Sequence, residues 1–309
     1  MPNLAQHDFS KTVEKKFYYS EIFYSIQGEG HYTGVPTAWI RFFLCNLQCS
    51  GFGQIDPTNP DTYDLPFEDF DVSSVKRVED LPVWEKGCDS SYTWAKKFKQ
   101  LMGQETPSAM ANKIVNCMKN DSNPDGKFMH PVSKQHQHLC FTGGEPLMVT
   151  GQQAVVGIYN TLKEQDNLPG SMTFETNGTQ ILRQPFIDWV NEIDTEVFFS
   201  CSPKLFTVSG EQTAKAIKPE IVAEYHKLSK AGQLKFVVGP LQREWDEMEE
   251  AIEKFRSAGV EWPVWVMPTG AREEEQTATA GDVAQKAFQR GYNVAARVHV
   301  YLFGNKIGT

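Results

Sequence analysis

The chain has 309 residues, 40% of them hydrophobic, and a formal net charge of −9. That length can bury one large core or two ordinary ones, and no apolar run is long enough to span a bilayer. No dense Lys/Arg block appears, which argues against duplex nucleic acid as the partner, because phosphate binding needs a basic face. The polar start "MPNLAQHDFSKTVEKK" lacks the apolar segment of a secretory signal. A cytoplasmic location is therefore expected, with no membrane partner, and six cysteines there are thiols or metal ligands rather than disulfides.

In chain order, apolar runs predict strands at 18–26, 37–44, 137–142, 171–176, 196–201, 233–238, 263–268 and 297–303. Amphipathic stretches predict helices near 152–165, 182–192, 211–231, 242–258 and 272–290, with another in "SAMANKIVNCMKN". Strand–helix alternation at this spacing implies parallel βαβ units, hence an α/β sheet or barrel in a single domain covering 1–309. Residues 50–87, rich in Asp, Pro and Gly, follow neither period and read as a long loop, functional or inserted.

Polar residues and glycines gather where the predicted strands end: "CNLQC" (45–49), "TGGEP" (142–146), "ETNGT" (175–179), "SCSPK" (200–204), "KFVVGP" (235–240) and "MPTG" (267–270). In parallel α/β folds ligands bind at that edge, so these segments converge on one mouth. Each taken alone is compatible with an ordinary strand-to-helix turn. Cys45 and Cys49 look like half of a site whose further ligand must lie elsewhere, since Phe52 stands where a close third cysteine would be expected. In "TGGEP" the paired glycines permit close backbone approach, their carbonyls can accept from an ammonium group, and Glu145 adds a carboxylate.

"CNLQC", a displaced "CDSSYTW", "TGGEP" and "SPK" resemble the radical S-adenosylmethionine (SAM) superfamily. Within it, "EIFYSIQGEGHYTGVPTAWIRF" and "HVYLFGNKIGT" resemble the 7-carboxy-7-deazaguanine synthase family, and the likeness runs from about residue 20 to 309. The resemblance implies a partial (β/α)6-type radical SAM barrel. It implies a [4Fe–4S] cluster on Cys45, Cys49 and Cys88, the third ligand carried away by an insertion at 50–87. A zinc site on the same three cysteines is the chemical rival, while Cys117, Cys140 and Cys201 read as packing residues.

The implied reaction converts 6-carboxy-5,6,7,8-tetrahydropterin to 7-carboxy-7-deazaguanine with loss of ammonia, the hard chemistry belonging to the cofactor. Ser90 is implied as a Mg²⁺ ligand. SAM is expected to meet Gly87, Asp89, Gly144, Glu145, Glu175, Ser202, Pro203, Lys204, Met267, Pro268, Thr269 and Gly270. The pterin is expected to meet Ile26, Gln27, Gly28, Glu29, Arg41, Thr142, His299 and the carboxylate of Thr309. Arg41, alone among apolar neighbours, could instead be a structural partner of a nearby carboxylate. The resemblance also implies a homodimer and an electron donor such as a flavodoxin. A glycyl-radical activase and a catalytically silent module with the same fold are the competing readings.

Overall fold

Residues 9, 15–304 and 306–308 are described by the structure, a computed structural model. Strand β1 (Phe17–Ile26) turns back antiparallel into β2 (Pro36–Phe42). The cysteine loop and a one-turn helix α1 (Pro66–Asp69) follow, then an edge strand β3 (Gly103–Glu105) and helix α2 (Pro107–Cys117). Alternation then sets in with β4 (His138–Gly143), α3 (Val149–Glu164), β5 (Ser171–Thr176), α4 (Gln184–Glu192) and β6 (Glu196–Cys201). It continues with α5 (Phe206–Ser209), α6 (Thr213–Ala216), α7 (Pro219–Leu228), β7 (Gly232–Val238) and α8 (Gln242–Ser257). The chain closes with β8 (Val264–Pro268), α9 (Glu273–Gln289), β9 (Asn293–Val294) and α10 (Val298–Phe303).

Among the described residues the strands form one mixed sheet in the order β3-β1-β2-β4-β5-β6-β7-β8-β9. From β2 to β9 every pairing is parallel, and no pairing joins β3 to β9, so the sheet stays open. The matched ends (Phe42 beside Gly143, Thr176 beside Cys201, Val238 beside Pro268) put the polar segments on one edge, as expected.

Side-chain alternation separates two faces. Ile40, Phe42, Leu139, Phe141, Met172, Phe174, Phe199, Leu234, Phe236 and Val266 are buried in the main apolar core that the sheet shares with its helices. Along it Phe42, Phe141, Phe174 and Phe199 stack strand to strand at centroid distances of 6.3, 5.3 and 5.6 Å. Each such pair contributes about 0.5–1.5 kcal/mol beyond its buried area. The opposite face carries Trp39, Arg41, Thr142, Glu175, Ser200, Lys235 and Val237, which line a cavity.

The floor of that cavity face is polar and closed. His138 lies between Thr37 and Thr173, its ring nitrogens 3.1 and 2.8 Å from their hydroxyls, under the ring of Tyr32. Burial pushes its imidazole down to about 3, below the usual value near 6.5. Between those values the unfolded chain binds a proton that the native state refuses, so His138's contribution is present above about pH 6.5 and lost as pH falls. The expected result is a His138→Gln variant whose unfolding free energy depends less steeply on pH from 6 to 4. The difference from wild type should approach about 1.4 kcal/mol per pH unit, read by chemical denaturation.

Three expectations need correction. "RVHVYLF" is not a strand: after the two-residue β9 the chain forms α10, capped by left-handed Gly304, whose N–H reaches Val300 O at 2.8 Å. Its β-branched content favours a strand, but only Val300 is buried and Arg297 is pinned at the helix start, which sets a helical period. The predicted helix at 211–231 is broken into α6 and α7, with left-handed Gly210 before them and Pro219 opening α7.

Residues 50–87, finally, are not an open loop but a folded lobe. Its turns are too short to leave a period in the sequence: 60–62, 66–69, 72–74 and 78–80. Phe67, Val72, Val78, Leu81 and Trp84 nevertheless bury one another with Tyr92, Ala95 and Phe98, and Ile307 from the chain end packs against the cluster. The lobe's two ends meet. Gly87 N–H donates to Phe52 O at 2.7 Å, and a Cβ on Gly53 (φ +68°) would lie 2.3 Å from Glu85 O.

Candidate active site

Because the lobe closes on itself, Cys88 returns to the loop that left at Cys49. Cys45, Cys49 and Cys88 pack together with Leu47, Phe52 and Ala216. The loop is held in an unusual shape, with Leu44 at φ +98° and Cys49 at φ +53°, a region side chains rarely occupy. Its restraints are specific. Leu44 N–H donates to Thr93 O at 2.7 Å, and Gln48 and Cys49 N–H donate to one Glu211 oxygen at 2.6 and 2.8 Å. Asn177 donates to Asn46 Oδ1 at 3.0 Å, tying the loop to the end of β5.

Burial pushes the Cys45 thiol up to about 12, with Glu145 adding to the rise, and the Cys88 thiol up to about 11, with Asp89 adding. The same desolvation pushes the Cys49 thiol well up, while Lys204 opposes the rise at all three sulfurs. Among the described residues no three His, Cys, Asp or Glu side chains are drawn to one point as a single-ion site requires. Thiolate is the donor that an iron–sulfur cluster and a zinc ion both take.

The strand ends build the next wall. Gly143 (φ +127°) and Gly144 lie against the cysteine loop, and a Cβ on Gly144 would fall 2.1 Å from Leu44 O and 3.0 Å from Cys45 Cβ. Gly87, Asp89, Gly144, Glu175, Ser202, Lys204 and residues 267–270 all line the cavity. Lys204 Nζ donates to Ser202 Oγ at 3.0 Å. Two residues expected to meet SAM are placed elsewhere. Pro203 is not part of the cavity lining. Glu145 is 1% exposed and turned inward, accepting from Leu147 N, Thr176 Oγ1 and Asn177 N at 2.9, 2.8 and 2.7 Å. Burial pushes its carboxyl up to about 7 despite these bonds, and its work is to brace the end of β5 against the turn after β4.

At the other end stand Ile26, Gln27, Glu29, Arg41, Ser90, Thr142 and His299. Gln27 Nε2 and Thr142 Oγ1 donate to the two oxygens of Glu175 at 3.2 and 3.0 Å. Gly28 is not in the lining; it makes room for His299, whose Nδ1 would sit 2.0 Å from any Cβ there. Burial pushes the His299 imidazole down, favouring its neutral form. Arg41 Nε donates to Glu21 at 2.9 Å and Nη1 reaches Ser90 Oγ at 3.4 Å, so it is a structural partner and a cavity residue at once. Thr309 lies outside the described residues, although Lys306, Ile307 and Gly308 before it line the cavity.

Sequence reasoning missed Lys235 and Arg297. Lys235 Nζ donates to one oxygen of Glu29, and Arg297 Nε donates to the other at 3.0 Å. Arg297 also donates to Asp89 Oδ2 at 3.1 Å and to Gly270 O at 3.2 Å. Burial acts to raise both carboxyls, but Lys235 and Arg297 outweigh it at Glu29, and Arg297 and Arg41 at Asp89, so both stay ionised. The signal available was phase: Lys235 shares the cavity face with Arg41 and Glu175, between the core residues Leu234 and Phe236.

The whole encloses about 680 Å³, within the range of small-molecule sites. Cysteines at one end and a ring of paired charges and amides at the other suit a polar, planar ligand beside a metal group.

No family model matches the chain. A 7-carboxy-7-deazaguanine synthase of Rhodopirellula baltica is 24% identical over 311 residues, covering 97% of this chain and 91% of that protein. The synthase of Halobacterium salinarum is 28% identical over 306 residues, covering 93% and 90%. That of Bacteroides thetaiotaomicron is 64% identical over a 31-residue stretch, 10% of this chain and 17% of that protein. Among solved structures, QueE from Escherichia coli aligns over 92% of this chain and 95% of that one, with a TM-score of 0.48 and 17% identity. Among the described residues, no helix is long and apolar enough to cross a membrane.

Proposed function

The chain belongs to the family of the 7-carboxy-7-deazaguanine synthases, radical SAM proteins, and from that premise we propose that it contracts the ring of 6-carboxy-5,6,7,8-tetrahydropterin to 7-carboxy-7-deazaguanine. The balance closes without an external oxidant: the substrate loses one ammonia, and SAM serves to start the radical. The observation that carries the reading is the return of Cys88 to Cys45 and Cys49 at the mouth of a cavity whose far end is built for an N–H-rich ring.

Cys45, Cys49 and Cys88 would hold a [4Fe–4S] cluster, leaving one iron open to SAM. When bound, that pair supplies one electron and a carbon-centred radical able to take hydrogen from the substrate. This chain's residues do the rest. Backbone at Gly144 and 267–270, with Ser202 and Lys204, lines the wall for SAM. Gln27, Glu29 and Glu175 offer an amide and two carboxylates to the pyrimidine edge, and Arg41 presents a guanidinium to the substrate carboxylate. Ser90 and Asp89 offer oxygen for Mg²⁺ beside that carboxylate.

The test is mass spectrometry after anaerobic reconstitution with tetrahydropterin, SAM and a reductant. A product lighter than substrate by one ammonia supports the reading. SAM cleavage without any change in the pterin would favour the activase reading, and no cleavage would favour a silent module. For the metal, Ser90→Ala is expected to lose the Mg²⁺ dependence of turnover while retaining iron, and Ser90→Thr to keep both. An unchanged magnesium response in Ser90→Ala would exclude Ser90 as a ligand.

A further inference from the structure

Glu29 occupies a place that isolated chemistry would disfavour: a mostly buried carboxylate on the wall of the cavity. Two cations hold it there. Lys235 comes from the middle of β7 and Arg297 from the start of α10, after β9, so both restraints reach Glu29 from elements far from β1 in the sheet order. Their side chains are 6% and 10% exposed, against 12% for Glu29. Each takes a different carboxylate oxygen. The main chain adds a third restraint, since Glu29 N–H donates to Gln27 Oε1 at 3.0 Å.

A carboxylate has about four acceptor positions. One cation on each oxygen fixes the plane of the group and leaves each oxygen able to accept once more. Two parallel acceptors in a fixed plane match two adjacent N–H donors, the pattern of an amino-pyrimidinone edge. They repel an edge that places a carbonyl oxygen there.

We propose that Lys235 and Arg297 are positioning residues that set Glu29 to read the 2-amino edge of the substrate ring, and thereby determine specificity for pterins over their deaminated counterparts. This rests on the proposed function and names its recognition element. Arg297 extends the arrangement: through Asp89 it links the ring-reading carboxylate to the residue after Cys88, and through Gly270 to the loop after β8.

The test uses the reconstituted holoenzyme and anaerobic titration with 6-carboxypterin and 6-carboxylumazine, which carries oxygen where the pterin carries the amino group. Wild type is expected to bind the pterin at least tenfold more tightly. Lys235→Met should weaken pterin binding about 10- to 100-fold, the scale of a lost charge-assisted contact, while lumazine binding changes little. Lys235→Arg should restore part of the preference. Iron content and SAM binding should stay at wild-type levels in both variants. Arg297→Gln should also narrow the preference. A Lys235→Met protein that keeps the wild-type pterin-to-lumazine ratio would overturn the assignment, as would one that loses iron and SAM binding together with the pterin. Wild type binding neither ring would instead overturn the functional reading beneath it.

Discussion

Alanine at Cys88 is expected to abolish cluster assembly as completely as alanine at Cys45 or Cys49, although 38 residues separate it from the pair. The three sulfurs share one packed neighbourhood, and no other described cysteine belongs to it. Cys140 is fully buried in the middle of β4, with Trp39 and Thr173 as its register partners. Cys201 packs in the main core, and Cys117 sits on α2 with its thiol donating to Ile114 O at 3.1 Å. Their alanine variants should reconstitute to the wild-type iron content. Iron per chain and the visible absorption of the brown protein read both halves of the prediction. A Cys88→Ala protein carrying four irons would show that the lobe's end is not the missing ligand.

A second large effect is expected from one methyl group. In Gly144→Ala the new Cβ would press 2.1 Å from Leu44 O, and real Cβ atoms do not approach backbone so closely. Leu44 cannot yield cheaply. It already sits at φ +98°, its N–H is bonded to Thr93 O, and the next residue is the first cysteine. Something must shift, and the loop bearing Cys45 is the part not built into the sheet. The variant should fold, since the sheet core is untouched, yet lose most of its iron and at least a hundredfold in turnover. A cost of about 3 kcal/mol at the loop is enough for that factor. Gly34→Ala is the control, because a Cβ there meets nothing within 4 Å; its φ of +90° adds backbone strain without a clash. Wild-type iron in Gly144→Ala would mean that the cysteine loop is softer than its restraints imply.

The elements legible from sequence were those whose periodicity the core enforces. Strands 171–176 and 196–201 were read with their observed limits because Met172, Phe174, Val197 and Phe199 alternate with cavity-facing residues. The strand ends were legible too, and Cys88 could be set beside Cys45 and Cys49 only through the residues that follow it. What escaped depended on contacts distant in sequence. Lys235 reads as a stray charge in an apolar strand until the topology places Glu29 opposite it. Glu145, directly after a glycine pair, reads as a ligand group until Thr176 and Asn177 claim its oxygens. The tail misled because composition favoured a strand, while a glycine stop and one anchored arginine favoured a helix.

The meeting of Phe52 and Gly87 at the base of the lobe separates two kinds of distance. Closing a loop costs an entropy that grows only as the logarithm of its length, roughly 0.6 kcal/mol for each doubling. The interval between Cys49 and Cys88 is therefore almost free to lengthen, provided the segment returns to where it departed. A pattern written in fixed residue intervals fails on such a chain, whereas one written in neighbours through space survives. The same base makes the lobe a socket. A designed segment entering at Gly53 and leaving at Glu85 could keep the interval that the three sulfurs see, provided it also covers Tyr92, Ala95 and Phe98, which the present lobe buries.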